Sequence, residues 1–522
     1  VVNLEYLFFI LGCLIACAIA FAVNKAKVFN FMNQIKKDFF AYIIEFVMSI
    51  ISLVLLFQCF IFYHYWHNFN VILYVLSIVS LSILIIIICK MINNNKNDLS
   101  KLFIIIMIPI GLTFLMCMLP DYVPDEQAHF QRAYQVSWFH LSTGIHGMID
   151  SDYAIMKFSD YKNIFSYINI NPNPTYKMYH EACTYNFICY ILPAIVLGIS
   201  RVLHFSLYLS YYLGRMANLI LYIILISYAI KITPKCKKIF FVLGFNPMFI
   251  HLAASYSADV LVTSISVLSI AYFLYLFEKA EISKKDIVIV MTMIFIIAMT
   301  KYVYLPVFGI YFAIIPKLLK MPKINWIVLV ICAIVGCAYI YVSLKLNTNT
   351  EVIASQKEYY EAANVDGTRQ LEFLLSDKLN ILRVLKVTFV TKIFYYFDNF
   401  INRLGWLTIF INKFSFVFYY VILVLALFVE DAKLNIKYRI WFVVIGGIIS
   451  ILVVMGLYLY FTPVGWMTSE GVQGRYFIPC AALFLVALSN GLLKKFDNNL
   501  LFAVSVFVIN ILVANDILMF FI

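Results

Sequence analysis

Charged residues are scarce in this chain: they fill 13% of its 522 positions, against 64% hydrophobic. That excludes a soluble domain of this size and leaves the class of polytopic membrane proteins. Cysteine motifs are missing too. The eleven cysteines lie mostly inside apolar runs, with no CxxC pair and no Cys/His cluster at zinc-ligand spacing. Neither a structural zinc site nor a disulfide framework is therefore expected. Cys183 and Cys189 lie near each other but read, like the rest, as small hydrophobes. The net charge of +12 does not call for nucleic acid. The basic residues fall in short loops between apolar runs, where they set orientation and meet anionic lipid head groups. No internal repeat is evident, which counts against a transporter built from inverted halves.

What the chain does have is apolar runs near the roughly 20-residue length needed to cross a bilayer. In lipid the backbone must satisfy its own hydrogen bonds, so such runs are helices. The first, Leu4 to Val23, lacks a basic leader and a small-residue cleavage site and is expected to span rather than to be a signal peptide. The expected spans are 4–23, 40–63, 70–90, 101–119, 207–230, 239–255, 258–277, 286–300, 302–317, 325–345, 414–430, 438–461, 475–493 and 499–520. This predicts an all-α polytopic bundle of about 14 transmembrane helices. Lysine clusters at 25–37, 90–101, 231–238, 279–285, 317–323, 433–439 and 494–495 are assigned to the cytoplasmic side. That assignment places the long loop 120–206 outside. It also makes the apolar stretch 185–203 a helix on the outer face, since a crossing there would put Lys231 to Lys238 outside. The organisation expected is accessory helices over 1–100, a central module over 101–345, a second outer segment over 346–412 and closing helices over 413–522.

Polar residues on that outer side are few and grouped. The loop Pro120 to Tyr134 carries Asp121, Asp125, Glu126, His129 and Arg132 directly after an apolar run. Charge at the mouth of a span is costly and marks a functional candidate. Pro124 suits the first helical position, which puts Asp125 and Glu126 in the first turn, favoured by the helix dipole. Asp125, His129 and Arg132 follow at i, i+4 and i+7, on one face. A capped surface helix with local ion pairs has the same pattern. Three further points are Asp259 between two short spans, Lys301 between apolar runs, and Arg475-Tyr476 at the start of a late span. An ion pair with Glu470 is an alternative for Arg475. Carboxylates and cations converging on one membrane face suit a lipid-linked phosphate: the cations bind it, and a carboxylate serves as base on an incoming hydroxyl.

The series PDEQAHFQRAYQVS, GRMANL, NPM with ASYSADV, TKYVYLP and GRYFIP resembles a family of bacterial multispanning proteins, domain of unknown function 2142, from about Leu102 to Pro479. That family in turn looks related to the GT-C superfamily of membrane glycosyltransferases, which take a sugar from a polyprenyl-phosphate carrier on the outer face. The resemblance implies a GT-C-like helical bundle with outer-face juxtamembrane helices. It also implies Asp125 as base or substrate-orienting acid, with Asp259 at the position of a second acidic site. The chain departs from that superfamily in placing three extra helices before the loop.

The function expected is transfer of a sugar from a polyprenyl-phosphate donor to a glycan acceptor, a cell-surface polysaccharide or teichoic-acid-like polymer, at the outer face of the plasma membrane. Asp125, Glu126 and His129 are the expected catalytic residues. Asp121, Arg132, Asp259, Lys301, Arg475 and Tyr476 are expected to bind substrate. Asp125, Glu126 and Asp259 are candidate ligands for magnesium or manganese, which bind through oxygen, although the spacing demands neither metal. The alternatives are a flippase or a polymerase/ligase for lipid-linked glycans, the flippase expected to carry charges along the bundle interior. Membrane lipids are the other expected partners.

Overall fold

The computed structural model describes residues 39–58, 71–139, 141, 185–205, 207–346 and 360–521. The expected span 4–23, loop residues 142–184 with Cys183, and residues 347–359 of the second outer segment lie outside the described residues.

The described residues form helices, with one isolated antiparallel bridge between Leu404 and Ile409. In order they are α1 (Phe39–Gln58), α2 (Val71–Asn95), α3 (Leu99–Cys117), α4 (Glu126–Ser137), α5 (Ile191–Val202), α6 (Leu207–Ile232), α7 (Lys237–Gly244), α8 (Pro247–Ala253), α9 (Asp259–Glu278) and α10 (Lys284–Thr300). A 3₁₀ helix, Tyr302–Ile314, runs into α11 (Ile315–Leu318). Then come α12 (Lys323–Leu346), α13 (Gly367–Ser376), α14 (Asn380–Asp398), α15 (Lys413–Val429), α16 (Ile436–Tyr460), α17 (Ile478–Leu488) and α18 (Asn499–Phe521). Seven of them, α1, α2, α3, α6, α9, α16 and α18, are long and apolar enough to cross a membrane. The chain is thus a multi-pass membrane protein by length and composition, with half of the expected crossings reaching that measure among the described residues.

The most enclosed crossing helices are α3 and α9, and their neighbours pack around them. Polar caps fix the starts: Asp98 accepts from the backbone N–H groups of Ser100 and Lys101 at α3, and Ser283 and Asp286 form a reciprocal capping box at α10.

Two expected spans take another form. The run 239–255 is broken into α7 and α8, because Pro247 has no N–H to give and Asn246 caps α8 by accepting from Phe249 N at 3.1 Å. The carbonyls freed at the break are met by side chains: Tyr419 donates to Val242 O at 3.2 Å, Tyr222 to Gly244 O, and Asn510 to Phe245 O at 3.1 Å. The run 302–317 is mostly 3₁₀ helix rather than α. At about 2 Å of rise per residue, its 13 residues still cover about 26 Å.

The described lysine clusters meet at one end of the bundle; the cluster at 25–37 lies outside the described residues. Lys235 pairs with Glu278, Lys238 with Asp497 at 2.5 Å, Lys279 with Asp286, and Arg439 with Asp431 at 2.9 Å. Lys317 donates to the carbonyls of Phe277 (2.6 Å) and Lys279 (2.8 Å), closing the C-terminal end of α9. The 20 residues of α9 separate Glu278 at this end from Asp259 at the other by about 30 Å. The apolar stretch before α6 forms a short 3₁₀ turn and then α5. Together they form one apolar helical stretch, Phe187–Val202. Arg201 of α5 donates to Ser137 O at 2.9 Å and lies over the Trp138 ring, fastening α5 to α4.

Candidate functional site

Between α3 and α4 the chain turns twice through left-handed backbone, at Asp121 (φ 67°) and Asp125 (φ 62°). Such conformations suit Asp better than most side chains and concentrate at working sites. Helix α4 starts at Glu126, two positions later than Pro124 would predict, and Asp125 occupies its N-cap. The Asp125 side chain makes no capping hydrogen bond and is 51% exposed. Its Oδ2 lies 4.0 Å from Nη2 of Arg475.

Glu126, expected among the catalytic residues, points inward. Its two oxygens accept from Arg215 Nε at 2.7 Å and Nη2 at 2.5 Å, and both side chains are fully buried. They also accept from the backbone N–H groups of Asp121 (3.2 Å) and Tyr256 (3.3 Å). Arg215 spends its other donors on carbonyls just beyond α3, reaching Met118 O at 2.6 Å and Leu119 O at 3.1 Å. One ion pair thereby fixes α3, α4, α6 and the turn before α9. Sequence reasoning quoted Arg215 only within a motif. The missed signal is a guanidinium inside the apolar run of α6, which requires a partner.

His129 is buried and its Nδ1 is 2.7 Å from the Tyr190 hydroxyl, with the Tyr185 ring packed edge-on at 4.6 Å. Burial pushes its pKa down to about 3, with Lys301 and Arg475 acting in the same direction and Asp259 opposing, so the ring is neutral. Arg132, expected to hold phosphate, is fully buried and turned into the fold. It donates to Tyr185 O (2.9 Å), Gln135 Oε1 (2.9 Å) and Leu141 O (2.7 Å). The shared face of i, i+4 and i+7 holds, but for His129 and Arg132 that face is an interior one.

Asp259 and Lys301 form an ion pair, Asp259 at the first residue of α9 and Lys301 just past the end of α10. Lys301 lies over the Tyr476 ring, and Arg475 packs on the same ring and donates to the Tyr476 hydroxyl at 3.3 Å. Among the described residues, the buried Nε of Arg475 has no hydrogen-bond partner. Glu470 takes Lys392 at 2.5 Å and not Arg475. The turn carrying Arg475 depends on Gly474. A Cβ there would collide with backbone of Tyr396, Asn399 and Phe400 at the end of α14.

Asp121 joins the two polar loops. Its carbonyl accepts from Trp406 Nε1 at 2.9 Å, and the next turn is held by Gly405 N donating to Nε2 of His251 at 3.2 Å. Burial, and then the charge of Glu126, push the Asp121 carboxyl up to about 6. His251 was not foreseen. It is fully enclosed, its Nδ1 has no partner among the described residues, and nothing in its sequence context marked it.

Asp125, Asp259, Lys301, Arg475 and Tyr476 therefore gather at the end opposite the lysine clusters, with His129 beside them. Glu126 and Arg132 belong to the framework beneath. The candidate metal ligands do not converge: Glu126 is held by Arg215 and Asp259 by Lys301, and no group of three His, Cys, Asp or Glu suited to a metal occurs among the described residues. These residues do not fit a divalent-cation site.

A family model described as "Predicted membrane protein (DUF2142)" matches residues 110–484, most of the chain. The chain belongs to this family. The matched region runs from within α3 to within α17 and contains every residue of the cluster, whereas α1, α2 and α18 lie outside it. No curated protein and no solved structure matches the chain.

Proposed function

We propose that this family member is a GT-C-type membrane glycosyltransferase, moving a sugar from a polyprenyl-phosphate carrier to a cell-surface polysaccharide or teichoic-acid-like acceptor. The observation that carries this reading is the approach of Asp125 to Arg475, with the Asp259–Lys301 pair and Tyr476 alongside. An accessible carboxylate next to two cations is what inverting transfer to a hydroxyl requires. The acceptor oxygen attacks the anomeric carbon while Asp125 takes its proton. The bond from that carbon to the phosphate oxygen breaks, and the oxygen leaves with the electron pair. Arg475 and Lys301 meet its charge. Asp259 holds Lys301 in place. Tyr476 supports both cations through its ring. Glu126 and Arg132 keep the loop in shape, and no step uses a metal.

The cluster faces the extracellular side of the plasma membrane in this reading, because the lysine-rich end takes the cytoplasmic side. There α5, α13 and α14 lie along the outer face rather than crossing, and lipid-linked sugars are the available donors. The test is transfer from a polyprenyl-phosphate sugar to an acceptor glycan by purified protein in lipid. Wild type transfers, and Asp125→Asn loses about a hundredfold or more. Movement of lipid-linked glycan between leaflets without any transfer by wild type would reject the enzyme in favour of a flippase.

A further inference from the structure

Tyr190 is fully buried and its hydroxyl lies 2.7 Å from His129 Nδ1. A buried hydroxyl gives its proton to an acceptor within reach. Among the described residues, that acceptor is the imidazole nitrogen. The reverse bond, from Nδ1–H to the phenol oxygen, would leave the phenol proton buried and unmatched. Nδ1 is therefore bare, and the ring proton sits on Nε2. That nitrogen makes no hydrogen bond among the described residues. Asp259, Lys301 and Arg475 all act electrostatically on the ring. A third cation beside Lys301 and Arg475 would be repelled, whereas a neutral donor adds a bond without adding charge.

We infer that Tyr190 is a positioning residue that holds His129 as a neutral Nε2–H donor, and that this donor takes an oxygen of a lipid-borne phosphate ester seated at Lys301 and Arg475. The inference rests on the function proposed above and names a third contact of the carrier phosphate. It narrows the expectation that His129 is catalytic, since a ring protonated at Nε2 offers the site a proton and no lone pair. It also gives the Phe187–Tyr190 turn a task, that of carrying the hydroxyl to the ring.

Two measurements on the full chain in nanodiscs test it. The first is the ¹⁵N signal of labelled histidine, assigned among the eight histidines by its loss in His129→Gln. Wild type shows the Nε2–H tautomer, and Tyr190→Phe shows a mixture. The second is binding of farnesyl phosphate, with farnesol as the probe lacking phosphate. Tyr190→Phe weakens farnesyl phosphate about tenfold and leaves farnesol unchanged. In His129→Gln the amide nitrogen supplies the donor without help, so adding Tyr190→Phe costs less than about threefold. An Nδ1–H tautomer in wild type, or the same tautomer in Tyr190→Phe, overturns the role of Tyr190. Equal binding of farnesyl phosphate by wild type and Tyr190→Phe also overturns it and leaves the transferase reading standing. Farnesyl phosphate bound no more tightly than farnesol by wild type overturns the phosphate contact and that reading together.

Discussion

The Glu126 carboxylate and the Arg215 guanidinium meet through two hydrogen bonds, 2.7 and 2.5 Å long, with neither side chain reaching solvent. A buried pair of this kind punishes the loss of one partner, because the other is left charged and unmatched. Arg215→Ala should lower stability by about 3–5 kcal/mol. The double change Glu126→Ala with Arg215→Ala should recover part of that loss. Thermal unfolding in detergent reads both. Full stability in Arg215→Ala would show that the pair is not the clamp of the loop.

Arg475 uses its fork in two directions, Nη2 toward Asp125 and Tyr476 and Nε toward the interior. Lysine keeps the charge and loses the fork. Arg475→Lys should reduce kcat/KM for the lipid-linked donor about a hundredfold, the range for a donor aimed at developing negative charge. The unfolding midpoint should move little. Wild-type kinetics in this variant would mean that charge alone is needed at position 475.

At Gly474 the neighbouring atoms are backbone, which cannot swing aside as a side chain would. Gly474→Ala should cost about 1–3 kcal/mol through overpacking. Donor affinity should fall with it, because Arg475 is displaced. Gly336, with open space around it, is the control position: alanine there should be neutral or slightly stabilising.

Asp121 gives a pH dependence whose sign is set by its burial. The folded state disfavours the ionised carboxyl, whose pKa rises from 3.8 to about 6. The folded chain therefore holds that proton more tightly than the unfolded chain between about pH 4 and pH 6. Stability falls as pH rises through that window and levels off above it. Asp121→Asn should accordingly stabilise the protein at pH 7.5 by about 1 kcal/mol, after discounting for partial solvent screening, and do nothing at pH 4. Unfolding midpoints of both proteins at the two pH values check this.

Much of the bundle was legible in the sequence because charge is so rare in it. Lys235, Lys238, Lys279 and Lys317 were read as one side of the membrane, and they do meet at one end. Asp125, Asp259, Lys301 and Arg475 stood out for the same reason. Their mutual distances were not legible, since nothing local says that the turn at 474 returns to the N-cap of α4. Arg132 misled because helical spacing reports a common face but not what covers it. The covering groups, Tyr185 and Leu141, come from other segments. Arg215 was hidden by the apolar run around it. The Asn246-Pro247 break carried its usual signal, and only the side chains of Tyr222, Tyr419 and Asn510 make it tolerable inside the bundle.

The two carboxylates that start α4 also differ in when their arginines arrive during synthesis. Glu126 can be neutralised once α6 has emerged, early in insertion, so the loop acquires its shape while most of the chain is still unmade. The approach of Asp125 to Arg475 waits for a residue far along the chain, as does the carbonyl of Asp121 for Trp406. A ribosome that stalls before position 475 thus leaves the Glu126–Arg215 pair formed and the Asp125–Arg475 approach unmade. The polar cluster around Asp125 is complete only when position 475 has entered the membrane.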